Sequence, residues 1–67
     1  MKEYKLGENL IRLRRKAQMT QDQLAAYMGV SKSSVSKWET STTLPDILLL
    51  PQLATLFNVT LDELMGY

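Results

Sequence analysis

The chain has 67 residues and a net charge of +1. A chain of this length forms one domain with a small core. It contains no Cys and no His, so disulfides, thiolate zinc sites and the commonest general base are excluded. We therefore expect no enzyme, no catalytic residue, no metal site and no cofactor. The longest apolar run, residues 47–50, is too short to span a membrane. With no signal-peptide segment at the N-terminus, we expect a soluble, intracellular protein.

The charges are unevenly distributed along the chain. Residues 1–16 carry six basic and two acidic side chains, residues 17–44 carry two of each, and residues 45–67 carry three acidic ones only. The net charge by itself argues against a nucleic-acid partner. The basic start and acidic end leave that possibility open.

The first three predicted helices have short connections. Leucines at 6, 10 and 13 and Ala17 recur at helical spacing, which predicts a helix over about 5–17. Thr20 and Gln23 form a capping-box pattern before a second helix, about 21–28, and Gly29 supplies its left-handed end. Ser31 is a good N-cap for a third helix, about 31–40. Two helices joined by so tight a turn must cross steeply.

The second half predicts two more helices and no strand. Pro45 and Asp46 open a helix over about 46–57, and a local bend is expected at Pro51. Asn58 can end that helix in the left-handed region, and Thr60 with Glu63 forms a second capping box. The residues expected to face inward are Ile47, Leu50, Leu53, Ala54 and Phe57, followed by Leu61, Leu64 and Met65.

One motif spans the second and third helices: Thr20-Gln21-x-x-Leu24-Ala25-x-x-Met28-Gly29-Val30-Ser31-x-x-x-Val35-Ser36-x-Trp38-Glu39. It resembles the helix-turn-helix domain of lambda-repressor-like, Xre-type bacterial and phage regulators. The flanking segments 44–47, 53–60 and 62–64 agree with the same family. The resemblance covers about residues 6–65. It implies an all-α, compact five-helix domain over 1–67, with a helix-turn-helix core at 20–40.

The resemblance also implies roles for individual residues. Arg14 is expected to form a structural ion pair with Glu39. The third helix is polar outside its apolar contacts; in an unrelated helix this would be a solvated face, but here it favours readout of DNA bases. The expected base contacts are Lys32, Ser33, Ser36 and Lys37. The expected phosphate contacts are Gln21, Ser31, Ser34, Thr42, Thr43 and Arg15, with the backbone N–H groups of the loop after the third helix contributing.

Two apolar residues of the fourth predicted helix, Leu48 and Leu49, lie off its expected core stripe. Leu48 and Leu49, with Leu61 and Met65, form a candidate dimer face or docking face. We therefore expect a sequence-specific regulator of transcription, a repressor that binds double-stranded DNA as a homodimer on a palindromic site, in the cytoplasm (the bacterial nucleoid or a phage-infected cell). Half-site centres should lie roughly 34 Å apart. No membrane and no small-molecule site is expected.

Two alternatives remain at this point. The first is a protein-interaction module, such as an antitoxin-like or docking domain that uses the apolar face of the last two helices. The second is an enzyme, which without His or Cys would need paired carboxylates in a pocket. Whether the chain is a stand-alone regulator or the N-terminal domain of a longer protein stays open.

Overall fold

The computed structural model describes residues 5–66. These residues form α1 (Leu6–Lys16), α2 (Gln21–Met28), α3 (Lys32–Glu39), a 3-10 turn (Ile47–Leu49), α4 (Leu50–Phe57) and α5 (Leu61–Met65), without a strand. The all-α, five-helix prediction is confirmed. No helix in this part of the chain is long and apolar enough to cross a membrane. Lys2 and Glu3, which were counted in the basic start, lie outside the described residues.

A single core joins the helices. Helix α1 packs against α3 and α5, α2 packs against α3, and α4 packs against α5. The core side chains are Leu6, Leu10, Leu13, Leu24, Ala25, Met28, Val35, Trp38, Leu53, Ala54 and Leu64. Because α2 and α3 share this core on one side, the opposite side of α3 is left facing solvent.

The predicted helix starts are present. Thr20 accepts a hydrogen bond from the Gln23 backbone N–H at 3.0 Å, and the Gln23 side chain accepts one from the Thr20 N–H at 2.8 Å. Thr60 and Glu63 form the same reciprocal pair at α5. Such caps satisfy N–H groups that a helix leaves unpaired at its first turn.

All five helices end at residues with positive φ. Gly29 (φ 70°) and Asn58 (φ 55°) were predicted, whereas Gln18 (φ 58°), Ser41 (φ 62°) and Gly66 (φ 86°) were not. After α1, the Met19 N–H donates to the Arg14 carbonyl at 3.0 Å, which closes the helix end around Gln18. Non-glycine residues adopt this conformation at a cost. Because Gln18 and Ser41 are not glycines, the sequence does not indicate a positive φ at these two positions.

Gly7 allows α1 to approach the end of α3. A Cβ atom at this position would lie 2.8 Å from the Glu39 carbonyl oxygen, 2.9 Å from the Trp38 carbonyl oxygen and 2.8 Å from the Ser41 hydroxyl. Backbone atoms cannot move aside as a flexible side chain can. The close contact between α1 and α3 therefore depends on the missing side chain.

Three predicted inward positions are wrong. Ile47 is 76% exposed and Leu61 is 45% exposed, and Ala17 is exposed at the end of α1. The segment predicted as one helix over 46–57 begins with a 3-10 turn, and Pro51 lies in the first turn of α4 that follows. A 3-10 turn has three residues per turn instead of 3.6, so the stripe of α4 does not extend back to Ile47.

Candidate nucleic-acid interface

The candidate interface is built on the short connection between α2 and α3. Gly29 ends α2 in the left-handed conformation, and Ser31 caps α3 by accepting a hydrogen bond from the Ser34 N–H at 3.1 Å. Only three residues separate the two helices. Val35 and Trp38 are buried on the inner side of α3. The outer side of α3 is thereby held at a fixed angle to α2.

The outer side of α3 is polar. Lys32, Ser33 and Lys37 are exposed and Ser36 is half-buried. The Ser31 and Ser34 hydroxyls lie 3.0 Å apart and share a hydrogen bond, so they are partly committed to the start of the helix. The four residues predicted to contact bases are therefore those on this surface whose side chains are not used in capping the start of α3.

Lys32 has one nearby carboxylate. Its Nζ lies 4.0 Å from an Asp22 carboxylate oxygen, and both side chains are well exposed. Exposed pairs at this distance hold each other weakly and are screened by salt. Lys32 is therefore free to exchange this carboxylate for a base edge or a phosphate.

Arg14, Gln21 and Glu39 form a hydrogen-bonded cluster beneath the interface. The Arg14 Nε donates to Glu39 Oε2 at 2.6 Å and its second terminal nitrogen donates to Oε1 at 3.1 Å. The Arg14 side chain is 12% exposed and that of Glu39 is 3% exposed. The hydrogen bond to Glu39 raises the pKa of Arg14, against a smaller lowering by burial. A fork of this kind fixes the orientation of α1 relative to α3.

The Gln21 side chain has a second role besides the predicted phosphate contact. Its side-chain nitrogen donates one N–H to Glu39 Oε1 at 2.9 Å, which leaves the second N–H and the amide oxygen for other contacts. The Gln21 backbone N–H makes no hydrogen bond within the described residues, and it lies at the positive end of α2. This residue therefore offers a phosphate two donors, its backbone N–H and the second N–H of its side chain.

The loop after α3 differs from the expectation. The Thr42 and Thr43 N–H groups both donate to the Lys37 carbonyl, at 2.9 and 3.3 Å, and the Ser41 N–H donates to the Trp38 carbonyl at 3.2 Å. The prediction that these backbone groups are available to phosphates is wrong, because they close the end of α3. The Thr42 hydroxyl shares a hydrogen bond with Thr40 at 2.8 Å, whereas the Thr43 hydroxyl makes none within residues 5–66.

The pattern of the helix-turn-helix family matches residues 10–64. The chain belongs to the helix-turn-helix family. Over 60 residues it is 38% identical to the HTH-type transcriptional activator BcrR of Enterococcus faecalis, an alignment that covers 90% of this chain and 29% of BcrR. A crystal structure described as a transcriptional regulator from Listeria innocua superposes with a TM-score of 0.93 at 35% identity, covering 98% of this chain and 62% of that one.

These relatives support the lambda-repressor-like, Xre-type assignment. The class comprises DNA-binding domains of transcriptional regulators. This helix-turn-helix domain spans less than a third of the length of BcrR, and the structural match extends over nearly all of the chain.

Two contacts of the helix-turn-helix domain were not predicted from the sequence. The Gln21–Glu39 hydrogen bond joins residues 18 positions apart. Asn9 donates to the Glu63 and Leu64 carbonyls at 3.2 and 3.1 Å. Both side chains are uncharged amides, which carry no charge pattern to identify their partners. Asn9 thereby ties α1 to α5.

Proposed function

We propose that this domain binds DNA in a sequence-specific manner with α3 in the major groove. The observation that carries the proposal is the division of α3 into a buried side, with Val35 and Trp38, and an exposed side with Lys32, Ser33 and Lys37. Short hydroxyl side chains let a helix lie deep in the groove, and lysine donates to base edges and phosphates. Lys32, Ser33, Ser36 and Lys37 are assigned to base edges.

The proposed phosphate contacts lie on both sides of α3. The start of α2 offers the Gln21 backbone N–H, and the start of α3 offers the hydroxyls of Ser31 and Ser34. The loop after α3 offers Thr43 and, less directly, Thr42, whose hydroxyl is shared with Thr40. Arg15 is exposed at the end of α1 and contributes charge. Such contacts fix the register of the protein on the duplex without reading sequence.

The proposed assembly on DNA is a two-fold homodimer on a palindromic operator. Of the predicted dimer face, Leu48 and Leu61 are exposed, whereas Leu49 and Met65 are half-buried against the core. Leu44 and Ile47 are exposed beside a cavity of about 230 Å³, and we add these two residues to the proposed face. Apolar side chains clustered in this way favour association with a second copy.

Selection from a random pool of DNA duplexes with the purified domain tests the function. We expect an enriched sequence with two inverted half-sites whose centres lie roughly 34 Å apart. An enriched pool with a single half-site would contradict the dimer, and failure to enrich any sequence would contradict the function itself.

Substitutions on α3 test the reader. On the selected duplex, Lys32→Ala should cost about 1–3 kcal/mol and relax the preference at one position, and Ser33→Ala should also alter the preference. The matched control is Lys16→Ala, which removes the same charge from α1. An unchanged sequence profile and affinity for Lys32→Ala in an anisotropy titration would mean that α3 is not the reader.

Repression is the proposed direction of regulation, since a bound dimer that overlaps a promoter blocks polymerase by occupancy alone. The Enterococcus relative is named an activator, so a reporter gene with the selected operator placed across its promoter decides between repression and activation.

The second candidate function, a protein-interaction module, is favoured by the exposed Ile47 and Leu48. Sedimentation of the free domain as a monomer at millimolar concentration would contradict the proposed dimer face.

A further inference from the structure

A groove on the α5 side of α1 has no part in the proposed DNA interface. It encloses about 440 Å³ between the second half of α1 and the turn that joins α4 to α5. Its walls include Arg12 and Lys16 from α1, Phe57 at the end of α4, Val59 from the turn, and Glu63 from α5. This volume lies within the range of ligand-binding clefts.

The groove lies on the opposite side of α1 from α3. Gly7 and Arg14 contact the end of α3, whereas Asn9 donates to the carbonyls of α5. An Arg12 terminal nitrogen donates to Asn9 Oδ1 at 3.4 Å, which directs Arg12 toward α5. Lys16 follows Arg12 by one helical turn and therefore lies on the same side. These two cations are turned away from the DNA reader.

The charges of the groove are not paired with one another. Within residues 5–66, the ion pairs are Arg14–Glu39 and Lys32–Asp22, neither of which involves the groove. Glu63 accepts from the Thr60 hydroxyl at 3.1 Å, so its carboxylate is held at the start of its own helix. Arg12 and Lys16 thus present two exposed cations beside the half-buried side chains of Phe57 and Val59.

We propose that this groove binds an acidic segment of a partner protein in which acidic and apolar residues alternate. Carboxylates of the segment would pair with Arg12 and Lys16, for which the guanidinium fork is well suited, and an apolar side chain would pack on Phe57 and Val59. The Glu63 carboxylate in the wall would repel a phosphate backbone, which carries a negative charge at every unit. A peptide of alternating acidic and apolar residues can instead place an apolar, uncharged residue beside Glu63.

An NMR titration of the ¹⁵N-labelled domain tests this proposal. The probe is an acetylated, amidated hexapeptide of alternating glutamate and leucine. We expect saturable shifts at the amides of residues 57–59 and 63, and at least tenfold weaker binding by Arg12→Gln/Lys16→Gln. The matched control, Arg15→Gln/Lys37→Gln, removes the same charge from outside the groove and should change peptide affinity less than twofold.

DNA binding by the same two variants separates this site from the proposed function. Arg12→Gln/Lys16→Gln should bind the selected duplex within about twofold of the unmodified domain, whereas Arg15→Gln/Lys37→Gln should lose affinity. The proposal is overturned by an absence of shifts at 5 mM peptide, by shifts confined to α3, or by equal loss of peptide binding in both variants. It is also overturned if acetylglutamate binds as tightly as the hexapeptide, since the site would then recognise only a small anion.

Discussion

Arg14→Ala should destabilise the domain far more than its position near the surface suggests. The substitution leaves Glu39, whose side chain is 3% exposed, with Gln21 as its remaining hydrogen-bond donor. Breaking a buried pair by removing one partner costs about 3–5 kcal/mol. A domain of 67 residues has a free energy of unfolding of roughly 3–10 kcal/mol. The loss is therefore a large fraction of the total.

Glu39→Ala should cost less than Arg14→Ala. The Arg14 side chain keeps its hydrogen bond to the Met19 carbonyl at 2.9 Å and is 12% exposed, so its charge retains access to water. Urea denaturation followed by the fluorescence of Trp38 measures both values. The control is Arg15→Ala, which removes an exposed charge one residue away and should lie within about 0.5 kcal/mol of the unmodified domain.

If Arg14→Ala prevents folding, the double variant Arg14→Met/Glu39→Leu keeps the reasoning testable. It removes both charges and fills the space with apolar side chains, so it should recover part of the stability. A cost below about 1 kcal/mol for Arg14→Ala, or a greater loss of stability for Glu39→Ala, would contradict the role given to the buried pair.

Three further predictions follow from the packing of α1. Gly7→Ala should destabilise the domain by about 1–3 kcal/mol, as measured by thermal unfolding, because the new methyl group meets the carbonyls at the end of α3; a stability gain would contradict this packing. Gln18→Gly should raise the urea midpoint, since φ is 58° and glycine adopts this conformation without steric cost. Asn9→Ala removes two hydrogen bonds to α5 and should cost about 1 kcal/mol, with faster amide exchange confined to α5.

The features predicted correctly from the sequence are those that residues a few positions apart determine. A capping box joins Thr20 to Gln23, and the left-handed end at Gly29 depends on one residue that lacks a side chain. The Arg14–Glu39 pair spans 25 positions and was anticipated through the family resemblance, not through local pattern. Local chemistry therefore accounts for the helix ends, and the resemblance supplied the arrangement of the helices.

The errors arise where packing or hydrogen bonding between distant segments decides the outcome. Ile47 follows the stripe of α4 in sequence, but the 3-10 turn changes the phase and exposes it. The threonine N–H groups after α3 are used by the Lys37 carbonyl because Ser41 adopts a positive φ. A serine gives little indication of that conformation. The sequence therefore did not predict that the Thr42 and Thr43 N–H groups are unavailable to phosphates.

The distribution of charge leads to a last prediction about salt. The sum of +1 hides three different uses of the basic residues. Arg14 is neutralised by Glu39, Arg12 and Lys16 line the groove beside α5, and the proposed DNA interface retains Lys32, Lys37 and Arg15. Each phosphate neutralised on B-DNA contributes about −0.9 to the slope of log affinity against log salt.

If every interface cation neutralises one phosphate, including the lysines that also contact base edges, three cations in each domain give a slope of about −5 for a dimer, whereas five cations in each, with Arg12 and Lys16 included, would give about −9. Anisotropy titrations on the selected duplex between 50 and 300 mM KCl distinguish these values. The protein concentrations are chosen so that the domain is fully dimeric throughout. A slope near −9 would place the groove cations on DNA and refute their assignment to a separate surface. A slope near −5 means that electrostatic attraction per domain is modest, so tight binding requires both half-sites to be occupied together.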